Sequence, residues 1–329
     1  MGFTAAELAR MQRTLQRQLR DIDAANLAAI GFGMALKGGR PDPKRGLAAC
    51  LFVRHKHAPR QASQRLPPRV EIRLRRGSTF QRLQLATDVV EVGRVVPTGW
   101  RLSAPDIDPV TGGAVVAWRA ITEEDGTVRC GILTVGHAFA TGRRPLVRID
   151  PWPGETSFNG RLYLKSRRPS SADAAVIRVH PESLVENGLI DPSLVSGGRL
   201  DIDAIVQPEI VSPDQLASLH GAHGESLRSD TRVPFLLQAI LPLMTIRGLG
   251  RLRNIISVWS PGADAFSPGT SGSLWEVEGD PAALQVAATP ATYQLGFGQA
   301  LVTGFDWARD ALERDGQFVP GSFRFVAGV

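Results

Sequence analysis

Cysteine is nearly absent: Cys50 and Cys130 are the only two in 329 residues, too few for a disulfide framework. Lysine is scarce as well. Only Lys37, Lys44, Lys56 and Lys165 occur, so the 38 basic residues are almost all arginine, a bias that does not by itself signal nucleic-acid binding. Long apolar runs are missing. The longest, Phe235 to Ile246, has 12 residues and contains Gln238 and Pro242, whereas a membrane span needs about 20. It reads as a buried strand or helix. The opening MGFTAAELARMQ lacks the basic region and apolar core of a signal peptide, and Ala6 breaks the myristoylation pattern. The expectation is a cytoplasmic protein with no membrane span.

What is present is ordinary globular material: 43% apolar and 21% charged residues, which excludes a disordered chain, a collagen and a coiled-coil rod. The length suggests about two domains. Charge divides in the same way. Residues 1–95 hold 18 basic and 7 acidic residues, a net +11, and the remainder 20 and 25, a net −5, within a total of +6.

Thr4-Ala5-Ala6-Glu7 has capping-box spacing. Leu8, Met11, Leu15, Leu19 and Ile22 then recur at helical spacing, with Arg10, Arg13, Arg17 and Arg20 between them. This predicts one amphipathic helix to about Ala25, laid on a sheet with a solvated arginine face. Ala28–Leu36, a Gly38-Gly39 turn and Leu47–Val53 read as a hairpin. Gln61–Pro68 reads as a linker, Val70–Leu74 as a third strand and Val89–Val92 as a fourth. From about Val95 the texture changes to short β-rich runs: Ala114–Trp118, Gly131–Val135, Leu146–Ile149, Ala174–Val179, Ala204–Ile210, Val233–Ile240, Ile255–Trp259, Ser273–Val277 and Leu284–Ala287. Such spacing predicts a sandwich or barrel. His180–Asp203 reads as a surface insertion, and Asp306–Glu313 as a helix. The expected division is an α+β module over 1–95 and a mainly β domain over 96–329.

Three segments carry chemistry. Leu133-Thr134-Val135-Gly136-His137-Ala138 puts a histidine after a strand end. Ser171-Ala172-Asp173-Ala174-Ala175-Val176-Ile177 puts an aspartate before a buried strand. Pro268-Gly269-Thr270-Ser271-Gly272-Ser273-Leu274 sets a serine among glycines. Each is weak alone; the order His…Asp…Ser on a β background is stronger. A serine hydroxyl needs a base to become a nucleophile, and a histidine can take its proton and later deliver it to a leaving amine. A carboxylate orients the imidazole and stabilises its charged form. Gly269 and Gly272 permit a tight, partly left-handed turn that can aim the N–H groups of Gly269 and Ser271 at one oxyanion.

These segments resemble the trypsin-like (chymotrypsin-fold) serine peptidases of bacterial type. LTVGHA, SADAAVIRV and PGTSGSL resemble the family's histidine, aspartate and serine segments, and Gly221-Ala222-His223-Gly224-Glu225-Ser226 resembles a glycine turn found in bacterial members. The resemblance spans roughly residues 100–310. It implies a double β-barrel with a C-terminal helix and a site between the barrels. His137, Asp173 and Ser271 would be catalytic, with an oxyanion hole at Gly269 and Ser271.

Departures from the family are informative. Thr270 replaces the aspartate that receives a new N-terminus in zymogen-activated relatives, so that activation route is not expected. Ser273 replaces the second glycine of the serine segment. Ala265, six residues before Ser271, argues against cleavage after Arg or Lys. With Ala287 and Thr289, on a wall formed by Val286–Thr289 and Gly296–Gly298, it suggests a specificity pocket for small or apolar residues.

Ala29-Ile30-Gly31-Phe32-Gly33, LFVRHK, Leu66-Pro67 and Thr87–Gly93 resemble an N-terminal module of some bacterial trypsin-like proteins. His55 and His57 alternate along a strand without a third ligand at metal-binding spacing, and His220 and His223 flank a glycine turn; all four read as structural or exposed. Cys50 and Cys130 read as buried thiols. The cluster Arg69, Arg73, Arg75 and Arg76 suggests docking to the acidic half of the chain, to an acidic partner or to nucleic acid, the first being the simplest.

The reading is therefore a serine endopeptidase that needs no metal or organic cofactor. Its substrate would be a protein or peptide, with a possible regulatory protein partner through the N-terminal module and no call for nucleic acid. Two alternatives stay open: a catalytically silent trypsin-fold binding or regulatory protein, and an effector peptidase active only after partner binding.

Overall fold

The computed structural model describes residues 3–23, 26–37, 40–56, 66–76, 78–92, 95–97, 113–121, 127–139, 146–149, 158–167, 170–227, 231–267, 269–290, 294–316 and 318–328. His57, Pro268, the Gly38-Gly39 turn and most of the expected linker at 61–68 lie outside them. Among these residues the chain is mainly β, with a small N-terminal α/β region.

Helix α1 spans Ala5–Gln18. Thr4 caps it through a reciprocal box, with the Glu7 N–H donating to Thr4 Oγ1 and the Thr4 N–H to Glu7 Oε2. Leu8, Met11 and Leu15 face inward, and Arg10, Arg13 and Arg17 face solvent. The helix is shorter than its periodicity predicts. Leu19 leaves helical geometry at φ −95° and ψ 2°, and only the turn Arg20–Asp23 resumes it.

The N-terminal strands are β1 (Leu27–Met34), β2 (Leu47–Val53), β3 (Arg69–Arg76) and β4 (Thr79–Glu91). β1 and β2 pair antiparallel, and β2 and β4 parallel, with β3 outermost. The fourth strand runs much longer than Val89–Val92. Only Leu85 and Val90 are fully buried along it and Phe80 stands exposed, so the strand shows no regular apolar alternation over most of its length.

A six-stranded antiparallel sheet follows: β5 (Ala114–Arg119), β6 (Val128–Thr134), β7 (Leu146–Ile149), β8 (Phe158–Lys165) and β9 (Ala175–Val179), completed by the late strand β16 (Arg324–Gly328). Their spatial order is β7-β8-β9-β6-β5-β16.

The other large sheet contains β10 (His223–Leu227), β11 (Arg232–Ile246), β12 (Gly250–Trp259), β13 (Leu274–Val277), β14 (Asp280–Ala288) and β15 (Leu295–Ala300). β10 pairs with both β11 and β13, so these six strands close into a barrel. The same sheet continues outward, because β1 pairs with β11 (Phe32 opposite Ile240). Gln12 of α1 reinforces that seam by donating to the carbonyls of Ile30 and Leu243, both at 2.8 Å. The sheet therefore runs across the change of texture near residue 95. Phe235, Trp275 and Phe266 share one core with Leu8, Met11 and Leu15. Helix α2 (Leu301–Arg314) follows β15 directly and buries Leu301, Ala308 and Leu312 in a core reached by both sheets.

Two expectations need correction. Ala204–Ile210 forms no strand; Val206 is 89% exposed, and Pro208 has no N–H to give a ladder. The stretch His180–Asp203 is not a surface excursion. It buries Leu184, Leu189, Ile190, Leu200 and Ile202 against the first sheet's core.

Candidate active site

The register of β6 and β9 sets the first two residues side by side. Thr134, at the end of β6, lies opposite Ala175, at the start of β9. His137, three residues beyond that end on a short 3₁₀ turn, therefore reaches Asp173, two residues before the start. The His137 N–H donates to Asp173 Oδ1 at 2.9 Å, and the ring Nδ1 bonds the other carboxylate oxygen. Gly136 makes this approach possible. A Cβ there would lie 2.8 Å from Ser166 Oγ, 2.9 Å from the Ala174 carbonyl and 3.1 Å from Asp173 Oδ1.

Ser271 comes from the barrel, on the turn leading into β13. Its Oγ lies 2.9 Å from His137 Nε2, on the side of the ring away from Asp173. Both groups are enclosed, with Ser271 5% exposed and the His137 side chain likewise. Gly269 (φ 94°) and Gly272 (φ 91°) take left-handed conformations on either side of Thr270-Ser271, which a side chain would resist. Thr270 donates through its hydroxyl to the Ser267 carbonyl and accepts from the Gln285 amide. The backbone of the turn is tied to β14 in both directions, Gly272 N–H to Gln285 O and Gln285 N–H to Ser273 O. Chemically, such an arrangement can withdraw a proton from Ser271 through Nε2 while Nδ1–H remains on the carboxylate.

The residues expected to form a specificity pocket, Ala265, Ala287 and Thr289, are all buried. Ala265 belongs to the core that contains Phe266 and Trp275, and Ala287 to the core that contains Phe297. Thr289 closes the β14–β15 turn by donating its N–H to the Leu295 carbonyl. Phe266 packs against Gly296, where a Cβ would meet its ring at 2.7 Å. His55 faces Glu91 at 3.9 Å on the surface. Arg69, Arg73 and Arg75 stand exposed on β3, while Arg76 pairs with Glu7 of α1 at 2.9 Å rather than with the acidic half.

Sequence reading missed Ser166, Gln285 and Gln299. Ser166 Oγ accepts the Ala174 N–H beside Asp173. Gln285 and Gln299 are buried amides in otherwise apolar strands. That contrast, a polar residue inside an apolar run, was the available signal, because a buried amide must find partners.

No family model matches the chain, and no curated protein matches it. Solved structures do. A chymotrypsin from Cellulomonas bogoriensis is 16% identical over 67% of this chain and 100% of its own, with a TM-score of 0.33. Kallikrein-related peptidase 10 is 11% identical over 63% of this chain and 98% of its own, with a TM-score of 0.32. Likeness at this level says nothing about activity, which has to be argued from the residues themselves.

Proposed function

We propose that this protein is a serine endopeptidase working through an acyl-enzyme intermediate. The single observation that carries the reading is the unbroken chain from Asp173 through His137 Nδ1 and Nε2 to Ser271 Oγ. In the proposed reaction Ser271 Oγ attacks the scissile carbonyl as its proton passes to His137 Nε2. Asp173 holds the imidazole in the tautomer that accepts there and stabilises the cation that forms. The N–H groups of Gly269 and Ser271 stabilise the oxyanion, a contribution of about 3 kcal/mol per donor in comparable sites. His137 then protonates the leaving amine. A water molecule, deprotonated by the same nitrogen, releases the acyl group from Ser271.

The substrate would be a protein or peptide with a small or apolar residue before the scissile bond, since Ala265, Ala287 and Thr289 offer no charge to hold a basic side chain. The basic N-terminal region would dock an acidic regulatory protein through Arg69, Arg73 and Arg75.

Labelling with a fluorophosphonate probe tests the chemistry. Wild type should label, and Ser271→Ala and His137→Ala should not. A wild type that stays unlabelled, alone and with acidic partner proteins, overturns the reading. Mass spectrometry of the new peptide termini then identifies the cleaved bonds.

A further inference from the structure

β12 and β15 are paired, with Ile255 opposite Gln299. Extended by two residues, the ladder would set Arg253 against Leu301. The chain turns into α2 at Leu301, so no strand continues there. Arg253 instead meets the loop that carries Asp173: its N–H donates to the Ser171 carbonyl at 3.0 Å. The Gln299 side chain completes the junction. Its Nε2 donates to the carbonyls of Ser171 (2.9 Å) and Arg253 (3.0 Å), and its Oε1 accepts the Asp173 N–H at 2.9 Å.

The partners dictate how this amide is oriented. Two carbonyls can only accept and an N–H can only donate, so one planar group must present two donors and one acceptor. Glutamine does this; glutamate lacks the donors, and leucine would leave buried backbone groups without Gln299's bonds. Gln299 itself is 3% exposed, so water does not readily replace it.

We infer that Gln299 is a positioning residue for Asp173. From the barrel that carries Ser271 it holds the backbone of the residue whose carboxylate orients His137. It thus fixes the distance between the two halves of the site. The inference rests on the proposed peptidase reading, but part of its test does not need activity.

Gln299→Leu is the primary variant, and Gln299→Asn, which keeps the amide but retracts it by one methylene, is the second. Two measurements apply to both. The first is the fluorophosphonate labelling rate, alone and combined with Asp173→Asn. A displaced acid should slow labelling about a hundredfold, with little further loss in the Asp173→Asn background, because both changes act through one carboxylate. The second is the proton NMR signal of the His137 Nδ1–H, which should move or broaden in either folded variant. Additive losses in the double variant, or an unchanged Nδ1–H signal in a folded Gln299 variant, overturn the positioning role. A wild type that never labels, with an Nδ1–H signal that still responds to Gln299, overturns the peptidase reading and supports the positioning role.

Discussion

Asp173 holds His137 at two points, one carboxylate oxygen on the backbone N–H and the other on the ring Nδ1. The ring therefore has little freedom to rotate about its own side chain. Asp173→Asn keeps the size and removes the charge. It also offers an N–H where the ring needs an acceptor, which favours the wrong tautomer. Labelling of Ser271 should slow by about four orders of magnitude with the fold intact. Near-normal labelling of a folded Asp173→Asn protein would detach Asp173 from the mechanism.

Gly136 is the close-approach point of the same site. Gly136→Ala places a methyl group against Ser166 Oγ, the Ala174 carbonyl and Asp173 Oδ1, and Ser166 and Ala174 are hydrogen-bonded to each other just beyond the ends of β8 and β9. The His137 turn must shift, at a cost of about 1–3 kcal/mol. We expect a lower melting temperature together with lost labelling. A variant that melts and labels like wild type would show that the turn yields freely.

The seam between the N-terminal strands and the barrel has a specific vulnerability. Gln12→Leu removes the side-chain donors to Ile30 and Leu243 while keeping the bulk. It should destabilise the protein by about 2 kcal/mol. Urea unfolding followed by both tryptophan fluorescence and circular dichroism should still give one transition, displaced to lower urea. Two separate transitions would mean that α1 and its strands melt independently of the barrel.

The cysteines should be inert in the folded protein. Burial pushes the Cys50 thiol up, and the nearby Asp88 carboxylate adds to it; burial pushes Cys130 up to about 12. At pH 8 both are therefore neutral thiols, and both are also shielded from reagent. Iodoacetamide should leave native protein unmodified and alkylate both residues in urea. Rapid alkylation of the native state would contradict their burial.

How much of this could be read from the chain depended on whether the cause was local. The His137, Asp173 and Ser271 segments were legible because each has a local signature in its immediate neighbours: a strand end, a buried strand start, a glycine turn. The capping box at Thr4 was legible for the same reason. β15 was not, because Gly296 and Gly298 weaken any strand signal. Those glycines are needed because the rings of Phe266 and Trp275 lie flat against them, from segments 20 to 30 residues away in sequence. Gln299 stands out as a polar residue in an apolar run, but nothing local ties it to the site, because its partners Ser171 and Asp173 are more than 120 residues distant. Ala204–Ile210 misled because an apolar run states a preference for burial, and only tertiary context supplies the partner strand.

The first and last strands in the chain are stitched crosswise. β1, near the start, is held by β11, and β16, near the end, supplies the edge of the sheet that begins at β5. A chain made from its N-terminus therefore cannot settle either half early. β1 pairs early with β2 but must wait some two hundred residues for β11, and β5 keeps a bare edge until residues 324–328 have been made. Such long-range closure slows folding. For a protein that would cut others, it also sets a useful timetable: the serine, the histidine and their supports converge only after Gln299 has been made, so a chain still short of it carries no working blade.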